Sequence, residues 1–322
     1  MMQILITGVA GFIGANVAEK LLQLDNSIIG IDNLNDYYDV RLKEWRLSQL
    51  YKYTNFKFYK LDIEDYKAML PIFKSHNFDA LINEAARAGV GYSIQNPYIY
   101  IKTNVYGTLN LLELCKAHLI KKIIIPSTSA LYAGQPMPFK EWLPVNTPIS
   151  PYAASKKAAE ALAYTYHHLY NIDVSILRYF SVYGPAGRPD MSILRFIKWT
   201  MENKPIVVFG DGNQSRDFTF IEDIVDGTIN ALRPLGYEII NLGHHTPYTL
   251  NYAIQIIEQY LNQKIHIIYK EFSKADIKET LADITKAKKL LNWEPKTSLE
   301  QGIVKLIQWM QQNWNWFKDI KL

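Results

Sequence analysis

A phenol and an ammonium group stand four residues apart in the stretch Ser150-Pro151-Tyr152-Ala153-Ala154-Ser155-Lys156. Residues at i and i+4 share one face of a helix, so the two groups can meet. A free tyrosine, with a pKa near ~10, is a poor base at neutral pH. A neighbouring cation stabilises its phenolate, and Ser150 as N-cap with Pro151 as first helical residue would add the positive end of a helix to that effect. The spacing describes a general base for a hydroxyl group, although a Tyr and a Lys one turn apart equally describe an ordinary amphipathic helix.

Other stretches supply what such a base needs. Ser127-Thr128-Ser129-Ala130-Leu131-Tyr132 sets hydroxyls at the end of an apolar run, where a substrate alcohol would sit. Gly8, Gly11 and Gly14 fall between a first strand and a first helix, in a GxxGxxG spacing that lets the backbone approach a pyrophosphate at the helix N-terminus. The second strand ends on Asp32, which can accept both hydroxyls of an adenosine ribose and would repel a 2′-phosphate. No arginine stands immediately beside it, so the expected cofactor is NAD rather than NADP. Asp62, just after the third strand, would receive the adenine amino group or cap the helix that follows.

These residues need a scaffold. Apolar strands over 3–7, 27–31, 56–59, 80–83, 122–126 and 174–178 alternate with helical patterns. That alternation predicts an α/β fold, a Rossmann-type doubly wound parallel sheet filling residues 1–180. Asp32, Asn83, Ser127 and Tyr179 then fall at strand carboxyl ends, where open sheets bind ligands. Beyond Pro185 the order is less regular, and a smaller C-terminal α+β lobe over 181–322 is expected to enclose a cleft. Part of 216–242 is expected to pack on the first domain.

Composition narrows the partners. The chain has 322 residues, 48% hydrophobic and 20% charged, with a net charge of +4; these are ordinary globular values. Lys121-Lys122 and the lysines of 286–289 read as solvated faces, so no nucleic-acid partner is expected. No run approaches the ~20 apolar residues needed to span a bilayer, and the N-terminus starts a strand without a leader pattern. A cytoplasmic protein without a membrane partner is expected. Cys115 is the single cysteine and lies in an apolar helical run, where packing rather than chemistry is its role. The histidines, including His167-His168 and His244-His245, show no ligand spacing, and no metal is expected.

Taken together, the glycine spacing, Asp32, the hydroxyl-rich strand end and Tyr152/Lys156 resemble the extended short-chain dehydrogenase/reductase family, whose members act on nucleotide sugars. The resemblance covers nearly the whole chain. Within that family, the stretch from Asn35-Asp36-Tyr37-Tyr38 to Leu42-Lys43, then Ala88-Gly89-Val90 and Asn96-Pro97, are similar to the uronic-acid epimerases. So are Arg178-Tyr179-Phe180-Ser181-Val182-Tyr183-Gly184-Pro185, Gly187-Arg188-Pro189-Asp190-Met191 and Arg216-Asp217-Phe218-Thr219.

The resemblance implies NAD-dependent 4-epimerisation of a UDP-sugar, UDP-glucuronate to UDP-galacturonate, through a 4-keto intermediate. The alternative is a UDP-glucose or UDP-N-acetylglucosamine 4-epimerase, with a UDP-glucuronate decarboxylase behind it. For the cofactor it implies Gly8, Gly11, Phe12, Ile13, Gly14, Asp32, Asn33, Asp62, Ile63, Ala85, Ala86, Asn104, Tyr152, Lys156 and Tyr179. For catalysis it implies Tyr152, Lys156, Thr128 and Ser129. For the substrate it implies Arg87, Thr128, Ser129, Ser181, Arg188, Arg216 and Asp276, with the lobe over 181–322 holding the nucleotide sugar. Arg188 is the natural partner of a C6 carboxylate; Arg216 matches the family's position for the diphosphate and Asp276 that for the uridine ribose.

Three departures border the substrate: Arg87 and Gly91 exchange the ends of a loop at which relatives carry their arginine, Ala130 replaces a third hydroxyl, and Ala133 is an added residue. Ala130 also stands where the decarboxylases have glutamate, and Ser129-Ala130 where the dehydratases have Asp-Glu. The helices over 105–115 and 153–170 are apolar on more than one face, including Leu109, Leu112, Ala158, Ala161, Leu162 and Tyr166. In this family such helices pair into the four-helix bundle of a homodimer; burial within one subunit is the competing reading.

Overall fold

The computed structural model describes residues 1–271 and 277–322. Strands β1 (Gln3–Thr7), β2 (Ser27–Asp32), β3 (Phe56–Lys60), β4 (Ala80–Asn83), β5 (Lys122–Thr128) and β6 (Asp173–Tyr179) lie parallel in one sheet. After β7 (Ser181–Tyr183), β8 (Ile206–Phe209) and β9 (Ser215–Phe220), strand β10 (Tyr237–Leu242) returns to pair with β6, giving seven strands in the order β10-β6-β5-β4-β1-β2-β3. The order reverses between β1 and β4, and the crevice at such a reversal is where a doubly wound sheet binds ligands. Two small sheets accompany it among the described residues: β7 and β11 (Pro247–Thr249) flank β9, and β12 (Ile267–Lys270) pairs with β8.

The central strands are largely apolar because both faces are covered, whereas the edge strand β3 is only partly buried, with Lys57 and Lys60 exposed. In β1, Ile4 and Ile6 face one core cluster while Leu5 faces the other, as the two-residue period of a strand requires. Helices α1 (Phe12–Gln23) and α2 (Val40–Leu50) cover the first face. On the second lie α3 (Tyr66–Ser75) and, beyond the short α4 (Val90–Gln95) and α5 (Pro97–Tyr100), α6 (Thr108–Ala117) with α7 (Pro151–Tyr170). Next come α8 (Ser192–Met201), α9 (Ile221–Asn230), α10 (Leu250–Leu261), α11 (Thr285–Leu291), α12 (Leu299–Gln312) and α13 (Trp314–Phe317). Residues 221–242 join the main sheet's layers, with α9 packed on α1 and β10 on β6.

Local chemistry explains the elements that matter for the site. Strands β5 and β6 run further than their apolar stretches, because Thr128 pairs with Tyr179 in the ladder. Helix α7 is opened by Ser150, whose Oγ accepts from Ala153 N at 3.2 Å, with Pro151 at its first position. Between α5 and α6 the chain winds as a π-helix over Ile101–Gly107, a conformation frequent at functional sites. Gly107 permits the close approach there, since a Cβ would meet Ile63 Cδ1 at 2.6 Å. At the C-terminus, Trp309 and Trp316 pack on Trp45 of α2, with centroids 5.3 and 5.7 Å away. That contact steadies the helix that carries Lys43 and Arg46.

A buried ion pair joins α7 to the sheet. Arg178 donates from Nε and Nη2 to the two oxygens of Glu160 at 2.9 and 2.8 Å, and Ser127 Oγ donates to Glu160 Oε1 at 2.7 Å. Both partners are buried. Removing one charge of such a pair leaves the other uncompensated and costs ~3–5 kcal/mol, whereas replacing both by apolar groups is close to neutral. Glu160→Ala should therefore lower the urea-unfolding free energy by that amount, and Glu160→Leu with Arg178→Met should restore most of it.

Candidate active site

A cleft of about 1020 Å³ opens at the carboxyl ends of the strands and reaches from Gly8 and Asp32 to Arg188 and Arg216. Its cofactor end is built by close packing. Gly8 has φ +66°, and a Cβ there would lie 2.5 Å from Ala85 N. A Cβ on Gly14 would meet the Gly8 carbonyl oxygen at 2.4 Å. The first turn of α1 has no acidic residue and no side-chain cap, so its N–H groups and positive dipole face the cleft. Arg46 braces this turn from behind: Nη1 donates to Ala10 O at 3.0 Å, and Nη2 to Ala186 O and Gly187 O at 2.7 and 3.1 Å.

Phe12, Ile13, Asp32, Asn33, Asp62, Ile63, Ala85, Ala86 and Tyr179 all line the cleft. Asp32 accepts from Ala10 N and Leu34 N at 3.1 and 2.8 Å, which fixes its carboxylate with lone pairs left for a ribose. Asp62 accepts from Asn33 Nδ2 at 2.7 Å and Glu64 N at 2.9 Å. It caps no helix, for the N-cap of α3 is Asp65. Two cations flank this end. Arg87 Nη1 donates to Asn35 Oδ1 at 3.1 Å, and Lys43 Nζ to Asn35 O at 2.7 Å. Burial pulls the Lys43 ammonium down to about 8.

Asn104 corrects the sequence expectation. It is buried within the π-helix and is not among the cleft-lining residues. Its amide donates to Arg87 O and Ser155 Oγ, both at 2.9 Å, and its Oδ1 accepts from Arg87 N at 2.8 Å. Its groups are therefore engaged in tying the Arg87 loop to α7.

Tyr152, Thr128, Ser129, Ser181, Arg188 and Arg216 line the same cleft, with Thr128 and Arg188 acting on Tyr152. Lys156 lines it too, but its Nζ donates to Pro126 O at 3.0 Å. A second expectation changes here: burial raises the Tyr152 pKa, against a hydrogen bond from Thr128 and the charge of Arg188. Desolvation of the phenolate outweighs the favourable neighbours in the free chain. Burial also pulls Lys156 down to about 8, opposed by Glu84 and Glu160. Arg188 is engaged by Asp190, from Nε at 3.1 Å and Nη2 at 2.5 Å. Arg216 Nη1 donates to Ser215 O and Lys278 O at 3.0 and 2.8 Å. Asp276 lies outside the described residues.

Sequence reasoning gave no role to Glu84, Lys43, Arg46 or Asp190, all of which lie at or against this cleft. Glu84 had a signal: a carboxylate placed directly after the apolar strand Ala80–Asn83. Lys43 and Arg46 are spaced i,i+3 in α2, and only the packing of that helix shows that both are buried.

A Rossmann sheet with a glycine turn, an Asp32 carboxylate at the end of β2 and a Tyr/Lys pair on one cleft defines a dinucleotide-dependent enzyme of sugar hydroxyls. The family model for GDP-mannose 4,6-dehydratase matches residues 5–306. The chain belongs to that family, nucleotide-sugar enzymes of the extended short-chain dehydrogenase/reductase type. A UDP-glucuronate 4-epimerase of Thermodesulfobacterium geofontis (strain OPF15) is 56% identical over 319 residues, 99% of each chain. The structure of UDP-glucuronic acid 4-epimerase from Bacillus cereus with UDP-glucuronic acid and NAD has a TM-score of 0.89 at 34% identity, covering 97% of this chain and 100% of that one. UDP-glucose 4-epimerase of Thermotoga maritima with UDP-glucose has a TM-score of 0.89 at 31% identity, over 97% and 100% of the two chains.

Gly8 offers a direct check of the cofactor end. Ala at a positive φ, with its Cβ against the Ala85 backbone, must push the turn away from β4. Gly8→Ala should retain its circular dichroism spectrum and bind a dinucleotide at least about tenfold more weakly, a loss of ~1.4 kcal/mol. Unchanged affinity by calorimetric titration would contradict this reading.

Proposed function

We propose that the chain is an NAD-dependent 4-epimerase of UDP-glucuronate, working in the cytoplasm as a homodimer. The observation that carries this reading is the convergence of Tyr152, Thr128, Ser129, Ser181 and Arg188 on one cleft that continues into the glycine turn. NAD, held by Gly8, Gly11, Phe12, Ile13, Gly14, Asp32, Asn33, Asp62, Ile63, Ala85, Ala86 and Tyr179, supplies a hydride acceptor and donor for C4 of the sugar.

The chain's own residues do the rest. Tyr152 takes the proton of the 4-hydroxyl and gives a proton back to the 4-oxygen after the 4-keto sugar has turned about its diphosphate link and presents the other face of C4 for reduction. The Thr128 hydrogen bond and the Arg188 charge lower the cost of the phenolate. Lys156 keeps one proton on Pro126 O and has two more for the phenolate and a ribose hydroxyl. Thr128, Ser129 and Ser181 hold the 4-oxygen and the C6 carboxylate. Asp190 presents the Arg188 guanidinium to that carboxylate already oriented. Arg216 stands for the diphosphate, Asp276 for the uridine ribose, Arg87 for a further contact with the substrate, and the lobe over 181–322 for the nucleotide sugar. Ala130 supplies no acid for water elimination or decarboxylation, so neither a dehydratase nor a decarboxylase is favoured.

The dimer reading rests on an uncovered face. Tyr98, Ile101 and Tyr106 are exposed along 97–117, and Ala161, Tyr164, Thr165 and Leu169 along α7. Leu112 and Tyr166, by contrast, are buried inside the subunit and do not reach a partner. Ile101→Asp combined with Ala161→Asp should convert dimers to monomers in sedimentation velocity; a parent that sediments as a monomer would contradict the assignment.

Two substitutions test the chemistry. Tyr152→Phe should lower kcat ~10²–10⁴-fold, the span typical of positioned acid–base catalysis. Arg188→Ala should lower kcat/KM for UDP-glucuronate ~10–150-fold more than for UDP-glucose, the worth of a hydrogen-bonded charge at ~1.5–3 kcal/mol, any loss common to both sugars being that of the charge beside the phenolate. Product NMR over a panel of UDP-sugars reads both; equal losses on the charged and neutral sugars would favour the UDP-glucose alternative.

A further inference from the structure

The guanidinium of Arg188, which the function proposed above sets against a C6 carboxylate, is held along one edge. Asp190 accepts from its Nε at 3.1 Å and from its Nη2 at 2.5 Å. Nη1 meets no acceptor among the described residues, so its two N–H groups remain for a ligand. The Asp190 side chain is 36% exposed and stands only two residues from Arg188, so the pair can hinge as a unit. A second support must fix its angle.

That support comes from Tyr37, in the segment between β2 and α2, far from Arg188 in sequence. The Arg188 Cζ lies over its ring, 5.9 Å from the centroid, inside the ~6 Å over which a cation and a ring face attract, and arginine stacks on such faces. Two contacts hold the ring: its Oη donates to Ala88 O at 2.9 Å, and the Tyr92 ring lies 5.3 Å away, centroid to centroid. Gly89 makes room for the meeting. It has φ +105°, and a Cβ there would lie 2.8 Å from Tyr37 Oη and 3.7 Å from Arg188 Nη2, so a bare glycine lets both side chains close on one stretch of backbone. Burial raises the Tyr37 phenol above its ordinary value against the pull of Arg188. The ring therefore meets the cation as a neutral face, not as a phenolate.

We propose that Tyr37 is a positioning residue for Arg188: with Asp190 on one edge and the Tyr37 ring against one face, the guanidinium is aimed so that its free edge receives the carboxylate of a charged sugar. This rests on the uronate reading above and brings in a residue from outside the substrate lobe. Preference for a charged over a neutral sugar then depends on the loop after β2, the same loop that lines the cleft through Asn33 and Asn35.

Calorimetric titration of the full-length chain with UDP-glucuronate and with UDP-glucose tests this, every variant carrying Tyr152→Phe so that bound sugar is not turned over. The readout is the ratio of the two dissociation constants, because a loosening of the cleft that both sugars feel cancels in it. Tyr37→Leu should lower the preference for UDP-glucuronate about five- to thirtyfold, the span of a partly desolvated cation over a ring, and Tyr37→Phe, which keeps the ring, should stay within about twofold. In an Arg188→Ala chain Tyr37→Leu should add nothing, since the two residues serve one interaction. A preference that Tyr37→Leu leaves intact, one that Tyr37→Phe lowers as far as Tyr37→Leu does, or a loss that persists without Arg188 would each overturn the proposal. Tyr37→Met replaces Tyr37→Leu should the latter not fold. An Arg188→Ala chain that still prefers UDP-glucuronate contradicts the uronate reading itself and overturns the proposal with it.

Discussion

Lys156 donates to the Pro126 carbonyl, and one turn further along α7 Glu160 accepts from Ser127 of the same strand and from Arg178 of the next. These contacts are buried, where a broken hydrogen bond is costly, so the helix has no freedom to slide along β5. Everything chemical at the substrate end inherits that register. Tyr152 is placed one turn before Lys156, and Thr128 two residues after Pro126, which brings the phenol and the hydroxyl together. A shift of α7 by a single residue would turn the phenol off this face.

A second set of ties fixes the cleft's two ends relative to each other. Arg46 holds the carbonyls of Ala10, beside the glycine turn, and of Ala186 and Gly187, beside Arg188. Asn104 joins the Arg87 loop to Ser155 on α7. The distance between a bound dinucleotide and a bound sugar is thus set by side chains that need touch neither, and rigid placement of this kind is what hydride transfer between two bound partners requires. Substrate choice, in the function proposed above, falls to Arg188 with Asp190 and to the hydroxyls at 128, 129 and 181.

Strands β1 to β6 of the main sheet were legible because most are short apolar runs buried on both faces, and the Ser150-Pro151 start of α7 because a cap and a proline leave a local signature; β10 was anticipated only as part of 216–242 packing on the first domain. The position of Asp32 was legible for the same reason, at the end of an apolar strand. What was not legible depends on contacts distant in sequence. Asn104 looked like a cofactor contact until the π-helix turned it toward Ser155, which is 51 residues away. Tyr152 was read as acidified by Lys156, yet desolvation raises it and the ammonium is engaged at Pro126. Burial is the quantity a sequence conveys least, and both corrections are burial effects. The same holds for Lys43, Arg46 and Glu84, charged residues that look solvated until the fold encloses them.

The central claim is that a single carbon is oxidised and reduced in place, with its hydrogen retained on the protein-bound cofactor while the sugar turns over. UDP-glucuronate carrying deuterium at C4 tests this most directly, followed by NMR and mass spectrometry of the product in ordinary water. The account predicts UDP-galacturonate that keeps its deuterium at C4. Product with hydrogen from solvent at C4, or a UDP-pentose as the main product, would contradict it.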